Sequence, residues 1–352
     1  MAKADITLLY AQSEYTTTLR FYGILQYNNQ LRGVPMKCVV LDGYLVNFDR
    51  QAWATAACHE LVWHDYTAPE EIAAAIGDAQ AVFTNRAPIT AQTVAACPAL
   101  RYIGTFGTGF NMIDLEATTA AGITVCNVPG YSTQGVAQGT FGLLLDIVSR
   151  ISVYNDFVKA GKWTESVDSR LTAITTTELA GKTMGIIGLG SIGQAVARMA
   201  MAFGMKVIAC RRSSGRGMDG VEMVSFEELL ARSHVVSLHC PLSAQTAEII
   251  NASTLSQMRE EAILLNTARG GLLNEADVAA ALDSGKLAWA GLDGLSQEPP
   301  QNSPLTLHSR TVITPHVAWM ARETRGRLLE IAAANLEAFV AGTPQNVVTL
   351  QK

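Results

Sequence analysis

The sequence is short of every feature that would take it out of the ordinary globular class. Its six cysteines, at 38, 58, 97, 126, 210 and 240, never form a C-x-x-C pair, so neither a disulfide framework nor a zinc knuckle is indicated. A reducing, cytoplasmic setting without a bound metal is expected. Basic runs are missing, and the net charge of −5 argues against nucleic acid or an anionic membrane as the main partner. The most extended apolar stretch, Phe141 to Tyr154, is interrupted by Asp146 and Arg150. No cationic segment followed by an apolar run opens the chain, so neither a membrane span nor a signal peptide is expected. Charged residues make up 16% of the 352 positions against 49% hydrophobic, enough apolar content for two cores, and the length suggests about two domains.

What is present centres on Thr183 to Gly193, which reads as a strand, a tight turn and a helix start. Met184 to Ile187 has the length of a buried strand, and Ile192, Ala195, Val196, Met199 and Ala200 recur at helical spacing before Gly204. Gly188, Gly190 and Gly193 form G-x-G-x-x-G in that context, which is a dinucleotide fingerprint. The first glycine permits the turn, the second lets backbone approach a pyrophosphate, and the third lets helix and strand pack closely. NAD-selective sites place an acid about twenty residues further on. Here Arg211 and Arg212 follow the next strand, and they complement a 2′-phosphate, so NADP is favoured over NAD.

The rest of the chain alternates strands and helices. Strands are expected at 39–41, 81–83, 102–105 and 124–128, with helices at 69–76, 91–96 and 115–121 between them, giving a parallel sheet covered on both faces. Residues 1–35 lack a sustained period. They form either a dispensable extension before Met36 or an extra element packed on the outside. A helix is expected from Thr133 to about Ala160. Lys182-Thr183 resembles the end of a P-loop, but Thr176 stands where that motif needs glycine. Beyond the fingerprint, strands at 235–240, 262–267, 287–292 and 311–314 complete a six-strand doubly wound unit, with helices at 226–231 and 275–282, the latter capped by Asn274. A final helix, about 321–340, carries Leu328, Leu329, Ala332, Leu336 and Phe339 on one face.

Ligands in such sheets bind beyond the strands' C-terminal ends. Phe106 to Asn111 is a glycine-rich loop in that position, with amides suited to a carboxylate. Arg269, Glu298 and His316 each follow a strand of the second unit. Histidine titrates near neutrality and suits protonation of a forming alkoxide. A carboxylate beside it favours the protonated ring, and arginine binds a carboxylate through two parallel hydrogen bonds.

From Met36 onward the chain resembles the D-isomer-specific 2-hydroxyacid dehydrogenases, above all their glycerate dehydrogenase (hydroxypyruvate reductase) branch. The resemblance is carried by Thr108 to Asp114, Asn127 to Thr133, Gly188 to Gly193, Ser237 to Leu242, Asn266 to Gly270, Gly291 to Asp293, Glu298-Pro299-Pro300 and Thr314 to Trp319. It implies two Rossmann-like α/β domains with doubly wound parallel sheets, separated by a cleft. Residues 36–131 plus 320–352 would form the substrate domain and 132–319 the dinucleotide domain. It further implies Arg269, Glu298 and His316 as catalytic residues, with Arg269 orienting the substrate, His316 as acid/base and Glu298 supporting its protonated form. Thr108 and Gly109 would hold the substrate carboxylate. The cofactor, NADP or NAD, would be met by Gly188, Gly190, Ser191, Ile192, Gly193, Arg211, Arg212, Cys240, Pro241, Thr246, Thr267, Ala268 and Asp293. The implied activity is reduction of a short 2-keto acid, hydroxypyruvate or glyoxylate, by a homodimer joined through the 135–170 stretch. A family dehydrogenase for another acid such as D-lactate, or a cofactor-sensing corepressor-like binding protein, is the alternative. Gly271 and Gly294 stand where the family commonly has Pro and Val, and each is expected to loosen a wall of the cleft.

Overall fold

A computed structural model describes residues 17–20, 36–46, 57–164, 174–211 and 217–350. Arg212, the 165–172 loop and most of residues 1–35 lie outside the described residues. The chain divides into two compact units, Met1–Tyr131 with Arg325–Lys352, and Ser132–Thr324.

The first unit is built on the strands β1 (Thr17–Arg20), β2 (Met36–Val40), β3 (Cys58–Trp63), β4 (Ala81–Thr84), β5 (Tyr102–Thr105) and β6 (Thr124–Cys126), in the order β1-β3-β2-β4-β5-β6. All pairs are parallel except β1 on β3. So part of the 1–35 segment is an antiparallel edge strand. β3 was not apparent in the sequence because His59 and Glu60 interrupt its apolar run, although Leu61 and Trp63 beyond them are buried. One face packs Val39, Val82, Ile103 and Val125 against Ile72, Ile76 and Val94 from its helices. The other carries an aromatic layer in which Phe83, Tyr102 and Phe106 stack and tilt on one another and Phe339 meets Tyr102 at 5.1 Å. Phe339 belongs to the last helix, Arg322–Val340, whose Leu328, Leu329, Ala332 and Leu336 are buried.

The second unit has seven parallel strands rather than six: β7 (Thr183–Ile187), β8 (Lys206–Cys210), β9 (Val221–Met223), β10 (Val235–Leu238), β11 (Ala262–Asn266), β12 (Leu287–Asp293) and β13 (Thr311–Thr314), ordered β13-β12-β11-β10-β7-β8-β9. The additional strand, β9, is three residues long and mostly exposed, too short to show a period. Helices cover both faces. Leu143, Leu144 and Ile147 of helix Thr133–Ser149 and Val196 of helix Ser191–Ala202 pack on Met184, Ile186 and Leu265. Leu229, Leu255, Val278 and Leu282 pack on Ile208, Val236, Leu264 and Leu292 from the other side.

The helix expected to run from Thr133 to about Ala160 is broken at Arg150. Arg150 adopts φ 55° with its guanidinium 4.0 Å over the Trp289 ring. Asp146 then caps the following helix, Ile151–Lys159, by accepting from Ser152 N at 3.0 Å and Ser152 Oγ at 2.6 Å. Local propensity favours continuation. A tertiary cation–π contact and a side-chain cap together outweigh it.

Candidate active site

Because the second sheet is wholly parallel, its loops after β7, β10, β11, β12 and β13 emerge at one edge. The strand order reverses between β7 and β10, so the crevice at that switch point opens beside Gly188. Gly188 has φ +98°, and a Cβ there would stand 2.7 Å from the Cys240 nitrogen and from the carbonyl carbon of His239. A side chain on Gly193 would collide with the Gly188 carbonyl, whereas the space around Gly190 is open. Gly190 is also the N-cap of helix Ser191–Ala202, with no side chain capping it. The first-turn amides of Ser191, Ile192 and Gly193 therefore have no acceptor among the described residues and face an open approach, the arrangement that receives a pyrophosphate.

The other expected cofactor residues border this crevice or its neighbouring loops. Arg211 is half-buried directly after β8. Cys240 is half-buried, Pro241 is exposed, and Thr246 Oγ1 closes their turn by donating to the Pro241 carbonyl at 2.7 Å. Thr267 is buried with its hydroxyl 2.8 Å from that of Thr140, and the Ala268 amide donates to Asn266 Oδ1 at 3.1 Å. The donor set and the open glycine cradle fit a dinucleotide.

His316 follows β13 in the left-handed region, φ 57°, a conformation costing a non-glycine residue on the order of 1 kcal/mol. What imposes it is Asp293 at the end of β12. This buried carboxylate accepts from Val317 N at 2.8 Å, Ala318 N at 2.9 Å and Thr314 Oγ1 at 2.7 Å. Trp319 Nε1 donates to the His316 carbonyl at 3.1 Å. With the backbone so held, His316 Nδ1 lies 3.1 and 3.0 Å from the two Glu298 oxygens.

Of the other described histidines, His59 is exposed in β3 of the first unit. Burial lowers the pKa of the His239 ring to about 4, and it lowers those of His64 and His234 as well. His308 pairs with Asp283 at 3.2 Å, at the opposite end of β13. Arg269 is exposed after β11, with Nη1 donating to the Ala268 carbonyl at 2.7 Å. A Cβ on Gly270 would collide with the Leu295–Ser296 backbone, so the Arg269 loop is seated directly on the segment leading to Glu298.

That segment has a restraint the sequence did not reveal. The Glu275 carboxylate accepts from Ser296 N at 2.7 Å and from the Ser303 hydroxyl, clasping both ends of the loop that carries Glu298. Its position right after the N-cap Asn274 suggested only a helix start.

Gly294 does not loosen the wall as expected. Its φ is +108°, and the space a Cβ would take is filled by Glu298 Oε1. Gly271 leaves no gap either, since a Cβ there would lie 3.0 Å from the Leu242 side chain. The Gly294→Ala variant is expected to displace the Glu298 carboxylate and lower kcat by about tenfold or more, about 1.4 kcal/mol of transition-state stabilisation. Steady-state kinetics at saturating cofactor would show this, and an unchanged kcat would refute the coupling.

In the first unit, Thr108 is exposed and Gly109 half-buried in the loop after β5. The carbonyls of this loop are taken within the unit: Gly107 O by Val128 N at 2.9 Å and Thr105 Oγ1 at 2.7 Å, and Thr108 O by Asn127 Nδ2 at 2.8 Å. The amides of Gly107, Thr108 and Gly109 donate to no acceptor among the described residues.

Residues 141–318 match the family model for the D-isomer specific 2-hydroxyacid dehydrogenase NAD-binding domain. A hydroxypyruvate reductase of Blautia hydrogenotrophica is 41% identical over 320 residues, covering 89% of this chain and 99% of that protein. This chain belongs to the D-isomer specific 2-hydroxyacid dehydrogenase family. It is an NAD(P)-dependent oxidoreductase with two Rossmann-like parallel-sheet domains. A glycerate dehydrogenase of Methylorubrum extorquens is 37% identical, covering 82% of this chain and 92% of that one. Among solved structures, a glyoxylate reductase from Paecilomyes thermophila superposes with a TM-score of 0.78 at 30% identity, covering 91% of this chain and all of that one.

Proposed function

We propose that this dehydrogenase reduces a short 2-keto acid, hydroxypyruvate or glyoxylate, to the D-2-hydroxy acid. The observation that carries the chemistry is the imidazole of His316 held at Nδ1 by both oxygens of Glu298. That contact fixes the orientation of the ring and leaves Nε2 as the nitrogen that gives its proton to the nascent alkoxide. Arg269 anchors the substrate carboxylate through paired hydrogen bonds, and the open amides of the Gly107 to Gly109 loop are assigned to substrate binding. Asp293 sets the backbone of the His316 loop and keeps lone pairs for the nicotinamide carboxamide. A bound nicotinamide cofactor supplies the hydride. The substrate class is supported by the names of the relatives above, hydroxypyruvate reductase, glycerate dehydrogenase and glyoxylate reductase.

The cofactor is proposed to be NADPH in preference to NADH, because Arg211 stands at the end of β8 where an acid would otherwise meet the ribose hydroxyls. A 28% identical structural neighbour, an acyclic imino acid reductase, was solved with NADPH. The assembly is proposed to be a cytoplasmic homodimer. Helix Ile151–Lys159 exposes Ile151 at 59% and Val158 at 47%, with Trp163 beyond it at 69%, an apolar surface suited to a second copy. Sedimentation of the wild type against Trp163→Asp tests the dimer, which a monomeric wild type would exclude.

One panel tests the activity: turnover of hydroxypyruvate, glyoxylate, pyruvate and larger 2-keto acids with NADPH and NADH. Turnover of the two short acids is expected, with kcat/KM higher for NADPH. Arg211→Asp is expected to shift the cofactor ratio toward NADH by about 10- to 100-fold, the loss of one charge-assisted hydrogen bond. A strong NADH preference in the wild type would overturn the NADPH assignment. Absence of turnover on every acid would overturn the enzyme assignment and leave a cofactor-sensing binding protein.

A further inference from the structure

Asp42 is a buried carboxylate that the chemistry above does not use. It follows β2, is 3% exposed, and lies where the strand order of the first sheet reverses between β3-β2 and β4. Its oxygens accept from Asn85 N at 2.8 and 2.9 Å, from Arg86 N, from Ala87 N at 3.0 Å and from Thr84 Oγ1 at 3.4 Å. Burial pushes its pKa up from the ordinary carboxylate value, and these same donors oppose that shift by favouring the ionised form. A carboxylate is costly to bury unless such donors meet it. All of them except Thr84, the last residue of β4, lie on the turn that follows that strand.

That turn passes the restraint on. Asn85 Nδ2 donates to the Phe106 carbonyl, and Phe106 N donates to the Thr84 carbonyl at 2.8 Å. Phe106 opens the loop whose carbonyls at Gly107 and Thr108 are pinned within the unit and whose amides stay open. A carboxylate at the crevice of the first sheet is thus linked, through one turn and one asparagine, to the backbone assigned to the substrate.

We propose that Asp42 is a positioning residue for substrate binding, fixing through Asn85 the Phe106–Gly109 loop in the conformation whose amides receive the substrate. Asp42 touches no substrate itself. Its influence falls on affinity for the keto acid, since the residues assigned to proton transfer stand in the other unit.

The proposal rests on the 2-keto acid activity, so the experiment separates the two. Asp42→Asn keeps the shape but turns an amide group toward N–H donors. In the full-length enzyme it is expected to raise KM for the better of hydroxypyruvate and glyoxylate by about tenfold or more, with kcat within about threefold and the NADPH Kd unchanged by fluorescence titration. Asn85→Ala is expected to raise KM similarly, and the double variant no further than the larger single effect. Asn85→Ala supplies the readout alone should Asp42→Asn not fold. An unchanged KM in folded Asp42→Asn or Asn85→Ala, multiplying effects in the double variant, or a fall confined to kcat would each overturn the positioning role. Wild-type enzyme that turns over no 2-keto acid would instead refute the activity.

Discussion

Replacing His316 by alanine is expected to lower kcat/KM for 2-keto acid reduction by about 10²- to 10⁴-fold while leaving NADPH affinity nearly unchanged, as removal of a positioned general acid does. The ring is aimed by three restraints that survive its truncation: Asp293 on the Val317 and Ala318 amides, Trp319 on the 316 carbonyl, and the Glu275 clasp on the loop bearing Glu298. The loss therefore reports the imidazole and not a collapsed loop. Far-ultraviolet circular dichroism and cofactor titration on the same samples check this. An alanine enzyme retaining wild-type turnover would end the assignment. Glu298→Gln keeps a hydrogen-bonding group at Nδ1 but removes the charge, and an intermediate loss in kcat is expected.

The second large effect is expected at Arg269. Its alanine variant would lose about 2–5 kcal/mol of transition-state binding, roughly 30-fold to a few thousand-fold in kcat/KM, the range for truncating one partner of a charge-assisted pair. In the free protein Arg269 is exposed and its guanidinium bonds only to the neighbouring Ala268 carbonyl among the contacts described. The melting temperature should therefore hardly move. Arg269→Lys is expected to recover only part of the activity, because an ammonium cannot reproduce the two parallel bonds of a guanidinium. A lysine variant equal to wild type would exclude bidentate carboxylate binding.

Much of this was legible in residues close together in the chain. The glycines at 188, 190 and 193 fall within one turn, and the close approaches they permit, to the 239–240 backbone and between Gly193 and the Gly188 carbonyl, are those that G-x-G-x-x-G demands. Helix Ala91–Ala96 and strands Tyr102–Thr105 and Thr311–Thr314 kept their expected limits because apolar period and turn residues agreed there. β3 and β9 escaped notice, one for its polar start and the other for its brevity.

The supporting contacts were not legible, for a physical reason. Asp42 and Asn85 are 43 residues apart, and nothing local distinguishes an acid after a strand from an ordinary turn residue. Only the parallel pairing of β2 with β4 makes them neighbours. Gly294 shows the same limit in reverse, since its missing side chain is explained by a carboxylate from another part of the loop.

The sequence by itself determined the alternation of strands and helices, the phosphate-binding turn and the residue types available at the strand ends, because these depend on periodicity and on backbone freedom over a few positions. The tertiary structure alone decided where the long helix breaks, how His316 is forced into its left-handed conformation and which carboxylates hold which loops. Those outcomes are a cation–π contact at the helix break and hydrogen bonds between strand ends that the sheet brings within 3 Å or so, and their energy exists only once the sheet has formed.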